Sequence, residues 1–419
     1  MTQRAHSWLD AVPAGSPAET ARLHALQSAG LPDERNEHWA HAHLRAFADV
    51  RQLAPVPAAD AAEASLAGRP PAALAGAARL VMIDGHLQPG LSDAVALQCW
   101  EWLPNDAVPM PLADPDLRYA SLATVHAGHT LRLRADASPP PLIELLQFCS
   151  GAAGSVYPRV QLHLPEGTAL TLVERLAGNL APGGLLCTAL DLRVGAGAQL
   201  RLHRLHECGA QTLLLDQLQL QLDRDADCRV QQLSAGGASV RQSQCVHLAG
   251  RGARLQFHGA SVQRGSEYHD TLVRIQMEAA DCGVEHRYRA LAADRAHLAC
   301  SADVLVEAAA RGGRVRQSLR GLCEGRGAQV NLRPRLTIHT DEIQASHGAT
   351  TGQLDEALLF YLLARGIAPD TARAMLKWAF LGDVLGSASA GPIRRAAEEL
   401  AARHVADAGM HELVGGLLT

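Results

Sequence analysis

The stretch Gly197-Ala-Gln-Leu-Arg-Leu-His-Arg-Leu, residues 197–205, opens on a glycine and a small residue and then alternates apolar with polar side chains. Alternation with a period of two is the mark of a strand with one buried face. The same opening recurs at Gly167-Thr-Ala-Leu, Asp225-Ala-Asp-Cys, Gly252-Ala-Arg-Leu, Asp281-Cys-Gly-Val, Gly312-Gly-Arg-Val and Gly327-Ala-Gln-Val. The first six anchors lie 27–31 residues apart, within the period of repeat architectures. Weaker turn signals fall between them at Gly183-Gly184, Gly209, Gly236-Gly237, Gly265 and Asp294. Each repeat therefore holds two strands, as Leu170-Thr-Leu-Val, Leu218-Gln-Leu-Gln-Leu and Val240-Arg-Gln-Ser-Gln-Cys-Val illustrate. A two-strand unit cannot bury its own apolar face and has to stack on the next. Two architectures fit: a parallel β-helix, and an antiparallel β-sandwich. The strand zone runs from about residue 79 to 336, longer than sandwiches usually run, and this favours the solenoid.

The flanks have a different texture. Residues 18–29 carry Leu23 and Leu26 at helical spacing and stop at Gly30-Leu31-Pro32. Residues 37–47 predict a second short helix with Trp39, Leu44 and Phe47 on one side, and residues 54–71 read as a Pro/Ala-rich linker. Towards the other end, residues 354–365 predict an amphipathic helix with Leu354, Leu358, Leu359, Tyr361 and Leu362, stopping at Gly366. Pro369-Asp370-Thr371 opens another, with Ala372, Met375, Leu376, Ala379, Phe380, Val384 and Leu385 as its apolar set. A third covers residues 392–406, with Ile393 and Leu400 inward and Arg394, Arg395, Glu398 and Glu399 outward. The expected division is a helical N-terminal region and linker (1–75), a β core (76–340) and a helical C-terminal domain (341–419).

Composition excludes several chemistries. The chain has 419 residues, is 47% hydrophobic but only 4% aromatic, and has a formal net charge of −5. A core built from Leu, Val and Ala follows, and neither nucleic acid nor a membrane surface is an expected partner. Lys377 is the one lysine, so no Gly-Lys phosphate loop exists and no nucleotide is expected to bind. The nine cysteines include no CxxC pair, against a zinc ribbon or thioredoxin-type site. Residues 1–13 lack an apolar signal core and no run reaches membrane-spanning length, which predicts a cytoplasmic protein. Strand alternation puts His206 and Cys208 on one face and His203 on the other, so the trio cannot hold one ion without a bulge. Cys282 and His286 are evenly spaced and share a face. Asp223, Asp225 and Asp227 lie in a turn beside Arg224 and Arg229, where solvated turn chemistry accounts for them. A β-helix enzyme acting on a polysaccharide or acyl group would need a groove of such groups along its flank.

The segment Leu332-Arg-Pro-Arg-Leu-Thr-Ile, then Asp341-Glu342, Ser346-His347-Gly348-Ala349-Thr350, Gly352-Gln-Leu-Asp and Phe360-Tyr361-Leu362 to Arg365-Gly366-Ile367 resembles the signature of the SufB/SufD family. Gly30-Leu31-Pro32, Glu37 and Trp39 resemble the opening of its SufD-type members, and His286-Arg287-Tyr288 fits the middle. The resemblance implies a right-handed parallel β-helix flanked by helical regions. It also implies a non-catalytic scaffold subunit for iron–sulfur cluster assembly. Such a subunit pairs with a SufB-like subunit through the end of the solenoid and docks a SufC-like ATPase through its C-terminal helices. A homodimer in isolation is a further expectation. By the same resemblance His347 is the ligand of a transient iron–sulfur cluster at the SufB interface, and Met375, Leu376 and Phe380 contact the ATPase. Two departures stand out: some relatives carry Cys where this chain has Ala345, and Ala40-His41-Ala42 replaces the Lys-Tyr-Thr of many members. The sister subunit SufB is the remaining alternative within the family; Ala345 and the N-terminal opening favour SufD.

Overall fold

A computed structural model describes residues 12–14, 16–33, 35–39, 42–47, 50, 52–58, 70–104, 114–126, 129–387 and 391–405. Ala40, His41 and most of the expected linker lie outside them. The described strands are β1 (Ala78–Ile83), β2 (His86–Leu87), β3 (Trp100–Pro104), β4 (His129–Leu133), β5 (Leu142–Ser150), β6 (Arg159–Leu164) and β7 (Ala169–Asn179). They continue as β8 (Leu185–Val194), β9 (Gln199–Cys208), β10 (Leu213–Leu222), β11 (Asp227–Gly236), β12 (Ser239–Leu248) and β13 (Arg254–Gln263). The series ends with β14 (Tyr268–Met277), β15 (Gly283–Ala293), β16 (His297–Val306), β17 (Gly313–Glu324), β18 (Gln329–Ile338) and β19 (Ile343–Gly352).

From β4 onward each strand pairs in parallel with the strand two further along the chain. Odd strands build one sheet, in the order β19-β17-β15-β13-β11-β9-β7-β5-β1-β2, and even strands the other, β18-β16-β14-β12-β10-β8-β6-β4-β3. This is the two-sheet parallel solenoid, and the sandwich is set aside. The repeat anchors are its corners. Gly197, Asp225, Gly252, Asp281 and Gly312 all have positive φ, between 55° and 75°, a region open to glycine and tolerated by aspartate. Their N–H groups donate up the stack: Gly197 to Arg224 O at 2.8 Å, Asp225 to Arg251 O at 2.9 Å, Asp281 to Arg311 O at 2.8 Å. The corner conformation is what lets each turn hydrogen-bond to the next, so the period in the sequence is the pitch of the solenoid.

Strand alternation sorts the side chains. One inward column runs Leu200, Cys228, Leu255, Val284 and Val315, all in register and all buried. Its parallel neighbour runs Leu202, Val230, Phe257, His286 and Gln317. Helices α1 (Pro17–Ala29), α2 (Leu44–Phe47), α3 (Ala94–Cys99) and α4 (Ala120–His126) belong to the N-terminal half. Leu26, Trp39, Phe47 and Leu122 form one cluster with Leu185, Cys187, Leu213 and Leu215 on the outside of the even sheet. Helices α5 (Glu356–Ala364), α6 (Pro369–Leu385) and α7 (Pro392–Val405) follow the last strand. Leu381, Val384, Leu385 and Leu400 of α6 and α7 pack on Leu205, Leu233, Val262 and Leu291 of the odd sheet's outer face.

Three expectations need correction. Residues 37–47 do not form one helix: Glu37–Trp39 is a single 3₁₀ turn and α2 is separate. The strand zone contains α3 and α4, with β1–β2 and β3–β4 pairing antiparallel; short helices around Cys99 and Tyr119 carry too few residues for a periodic signal. Residues 343–352, expected within the helical C-terminal region, form a strand, because Ile343 begins β19, which pairs with β17 over its whole length. Its Gly, Ser and Thr residues disguise a strand that has no outer layer to pack against.

Candidate functional site

The two final strands are bare. β18 and β19 are the outermost members of their sheets, and no residue of either is buried. Their backbone N–H and C=O groups on the outward edge are a template for another chain. Asp355 starts α5 by accepting from Ala357 N at 2.8 Å and Leu358 N at 3.1 Å. The helix then presents Leu358, Phe360, Tyr361 and Leu363 to solvent, with Phe360 72% exposed. The expected amphipathic stripe is absent: none of the residues of α5 is buried.

His347 lies on this open end. In register it follows Gln317 and His286, so it belongs to the inward column that begins with Leu202 and Val230. Ala345 likewise follows Val315 in the column next to it. Positions 345 and 347 thus face the solenoid axis at its mouth, and only the missing next layer makes them exposed. With Ala at 345, the mouth offers an imidazole there and no thiol.

Behind the mouth the interior turns polar. Arg204, with no exposure, donates Nε to Glu174 Oε2 at 2.5 Å and Nη2 to Asp216 Oδ1 at 2.7 Å. Thr188 Oγ1 and Gln242 Nε2 complete Asp216, at 2.7 and 3.2 Å. Gln242 and His269 lie 3.1 Å apart, and Ser261 links His269 to the Tyr288 hydroxyl, at 3.2 and 2.6 Å. Burial pushes the Glu174 carboxyl up, but Arg204 and His206 outweigh it and hold it at about 2. Burial, helped by the neighbouring His206 and His258 respectively, lowers His269 and His286 to about 3, so both are neutral imidazoles. His286 sits edge-on to Phe257, ring centroids 5.7 Å apart, with neither ring nitrogen hydrogen-bonded.

The N-terminal motif reaches the same end from outside. His38 bridges Asp116 at 2.7 Å and Asp303 on β16 at 2.6 Å, and these two hydrogen bonds raise it to about 9. Trp39 is fully buried, donates Nε1 to Asp116 at 2.9 Å and lies 4.1 Å beneath the Arg241 guanidinium. Glu37 pairs with Arg335 on β18. Sequence reading flagged Glu37 and Trp39; it missed His38 and both aspartates, which no local pattern connects.

The other sequence candidates separate. His203 faces outward to Gln231 at 2.8 Å, while His206 faces inward to Glu174 at 3.2 Å, as alternation requires. Among the described residues no group of three His, Cys, Asp or Glu is arranged to hold a metal ion. Burial pushes the Cys187, Cys208 and Cys245 thiols up to about 12, which makes them packing groups. Carboxylates along the flank pair with the next layer, as Arg193–Asp223 and Arg251–Asp281 do. Met375 and Leu376 are half-buried on α6, and Phe380 packs partly into the α6–α7 cluster.

The chain is a long parallel solenoid with a polar interior and an open final layer, and residues 148–380 match the family described as "SUF system FeS cluster assembly, SufBD core domain". That match covers more than half of the chain, and the chain belongs to this family of iron–sulfur cluster assembly proteins rather than to a family of enzymes. Within it the likeness is to SufD: the iron-sulfur cluster assembly protein SufD of Escherichia coli K12 is 25% identical over 378 residues, 88% of each chain. A SufBD family protein of Mycobacterium leprae is 30% identical over 181 residues, covering 41% of this chain and 46% of its own. Protein ABCI7, chloroplastic, of Arabidopsis thaliana is 25% identical over 237 residues, covering 54% and 48%. Among the described residues no helix is long and apolar enough to cross a membrane.

Proposed function

We propose that this chain is the SufD-type, non-catalytic scaffold subunit of a cytoplasmic cluster-assembly complex, pairing with a SufB-like subunit through β18 and β19. The observation that carries this is the bare final layer, whose free strand edges favour strand addition by a partner of the same architecture. A second copy of the chain fills the same role in isolation as a homodimer. The transient cluster is cargo at that interface, with His347 as this chain's ligand; a neutral imidazole suits iron. The helical region from α5 onward docks a SufC-like ATPase, which supplies the nucleotide chemistry that a chain without a phosphate-loop lysine lacks. Leu358, Phe360 and Tyr361 on α5 join Met375, Leu376 and Phe380 on α6 as its contact surface. The solenoid in this division continues past residue 340 to Gly352.

The test is co-purification with the two partners, followed by cluster reconstitution. His347→Ala is expected to keep complex formation intact and lower cluster yield. Unchanged yield removes His347 as a ligand, and failure of the wild-type chain to bind either partner removes the scaffold assignment.

A further inference from the structure

Each residue of β19 sits over a register partner on β17, and His347 sits over Gln317, which in turn sits over His286. Parallel neighbours are about 4.8 Å apart in this direction, within reach of a side-chain hydrogen bond between successive layers. Gln317 is buried, and one contact decides how its amide points: Nε2 donates to Ala302 O at 2.9 Å. Only the NH₂ end of a carboxamide can make that bond. Oε1 is therefore the free end, and it is buried without a partner. Leaving such an acceptor unsatisfied is costly, and a carbonyl oxygen has two lone pairs to offer. The two groups flanking Gln317 in its column are both imidazoles. His286 lies on the inner side and is neutral, with one N–H to give; His347 lies on the outer side at the mouth.

We infer that Gln317 is a positioning residue for His347. Its Oε1, unpartnered as the side chains now lie, accepts the N–H of one ring nitrogen once the exposed His347 ring turns over it, which fixes the tautomer and turns the lone pair of the other nitrogen towards the open end of the solenoid. A metal-binding imidazole is usually held in this way by its second nitrogen, and losing the outer partner weakens metal binding about 10–100-fold. The value of this arrangement rests on His347 being a cluster ligand; the hydrogen bond itself does not. The column also explains how an exposed histidine on an edge strand can be orientated before any partner arrives.

The experiment uses the full chain labelled with ¹⁵N-histidine, with the His347 ring signals assigned by their loss in His347→Ala. Wild-type protein is expected to show one dominant tautomer at His347. Gln317→Leu relaxes it to a mixture of both tautomers, whereas Gln317→Glu, which keeps an acceptor oxygen, retains one tautomer. Gln317→Met, which keeps the length but not the acceptor, repeats the measurement should the leucine variant fold poorly. Cobalt(II) titration of the same proteins is expected to weaken about tenfold or more for the leucine and methionine variants and not for glutamate. An unchanged His347 tautomer in the leucine and methionine variants overturns the inference and hands Oε1 to His286 alone. A shifted tautomer, with cobalt binding and cluster yield indifferent to His347→Ala, leaves the positioning intact and removes the ligand role.

Discussion

The two ends of the solenoid use the same strand pattern and are finished in opposite ways. At the first end the antiparallel β1–β2 and β3–β4 pairs and helix α3 close over the opening layers. Leu80, Leu131 and Leu145 have no exposure there. At the other end β18 and β19 continue the inward columns with Leu336, Ala345 and His347, and no residue of either strand is buried by the described residues. The sealed end needs an irregular insertion of short helices and antiparallel strands, while the open end is a regular layer with its neighbour removed. A regular end accepts a like layer from another chain, and a sealed one does not. Between them the interior changes from apolar to polar, so the middle layers are held by directional bonds and the mouth is not.

That contrast predicts the largest effect in the middle. Arg204→Ala leaves Glu174 and Asp216 buried without their counter-ion, which costs about 3–5 kcal/mol. Denaturant unfolding of the variant is the measurement, with loss of soluble protein as the extreme. A cost under about 1 kcal/mol would mean that water enters the middle layers and that they are no more tightly built than the mouth. Replacing Arg204 together with both acids by apolar residues of similar volume is expected to recover much of the loss, since the pair is valuable mainly because its halves cannot be left alone.

The pH dependence separates the interior from the N-terminal strap. His269 and His286 are lowered to about 3 and His126 to about 4, in each case chiefly by burial. The unfolded chain binds protons at these residues near pH 6.5 while the folded chain does not. Their contribution is complete above pH 6.5 and is lost as pH falls towards 3–4, by about 1.4 kcal/mol per pH unit for each group. His38 runs the other way. Its folded value of about 9 lies above the unfolded one, so its contribution is present below pH 6.5 and is lost as pH rises through about 9. Acid therefore attacks the solenoid core and the α4 layer outside it, and alkali weakens the hold of Asp116 and Asp303 on His38 while the Trp39–Asp116 bond remains. His286→Phe is expected to be at least as stable as wild type at pH 7, because two unpartnered ring nitrogens are removed beside Phe257. It is also expected to flatten the acid limb of unfolding by one histidine. An acid limb identical to wild type would show that His286 is hydrated and not part of a dry interior.

The sequence carries the solenoid because its two determinants are local. Alternation around Leu200, Leu220 and Leu255 sets the inward face, and left-handed corners at Gly197, Asp225 and Gly252 set the pitch. What it hid was either long-range or uncovered. Arg204, Glu174 and Asp216 meet from three strands, and nothing in the neighbourhood of any one of them announces the other two. His38 finds Asp303 across 265 positions of chain. β19 carries no strand signal in the sequence because a strand without an outer layer is free to be Gly-, Ser- and Thr-rich. The ligand candidate His347 was legible only through family resemblance; its inward column appears once Gln317 is known to lie beneath it.

The smallest effect on the fold is expected at the open end, and there the smallness is itself the test. Phe360→Ser removes a ring that is 72% exposed on a helix with no buried residue. Away from packing, caps and buried charges, such a surface change alters stability by no more than about 0.5 kcal/mol. Its cost should appear instead as weaker association with the proposed ATPase partner or with a second copy of the chain, because a large apolar side chain kept in water has value only when something covers it. Sedimentation of the isolated chain and pull-down with the ATPase read the two possibilities separately, and thermal melting of dilute monomer reads the fold. A melting temperature lowered by many degrees in the monomer would mean that α5 folds back onto its own solenoid. The mouth would then carry its own cover, and the asymmetry between the two ends would be one of timing, with a lid that has to leave before β18 and β19 can pair.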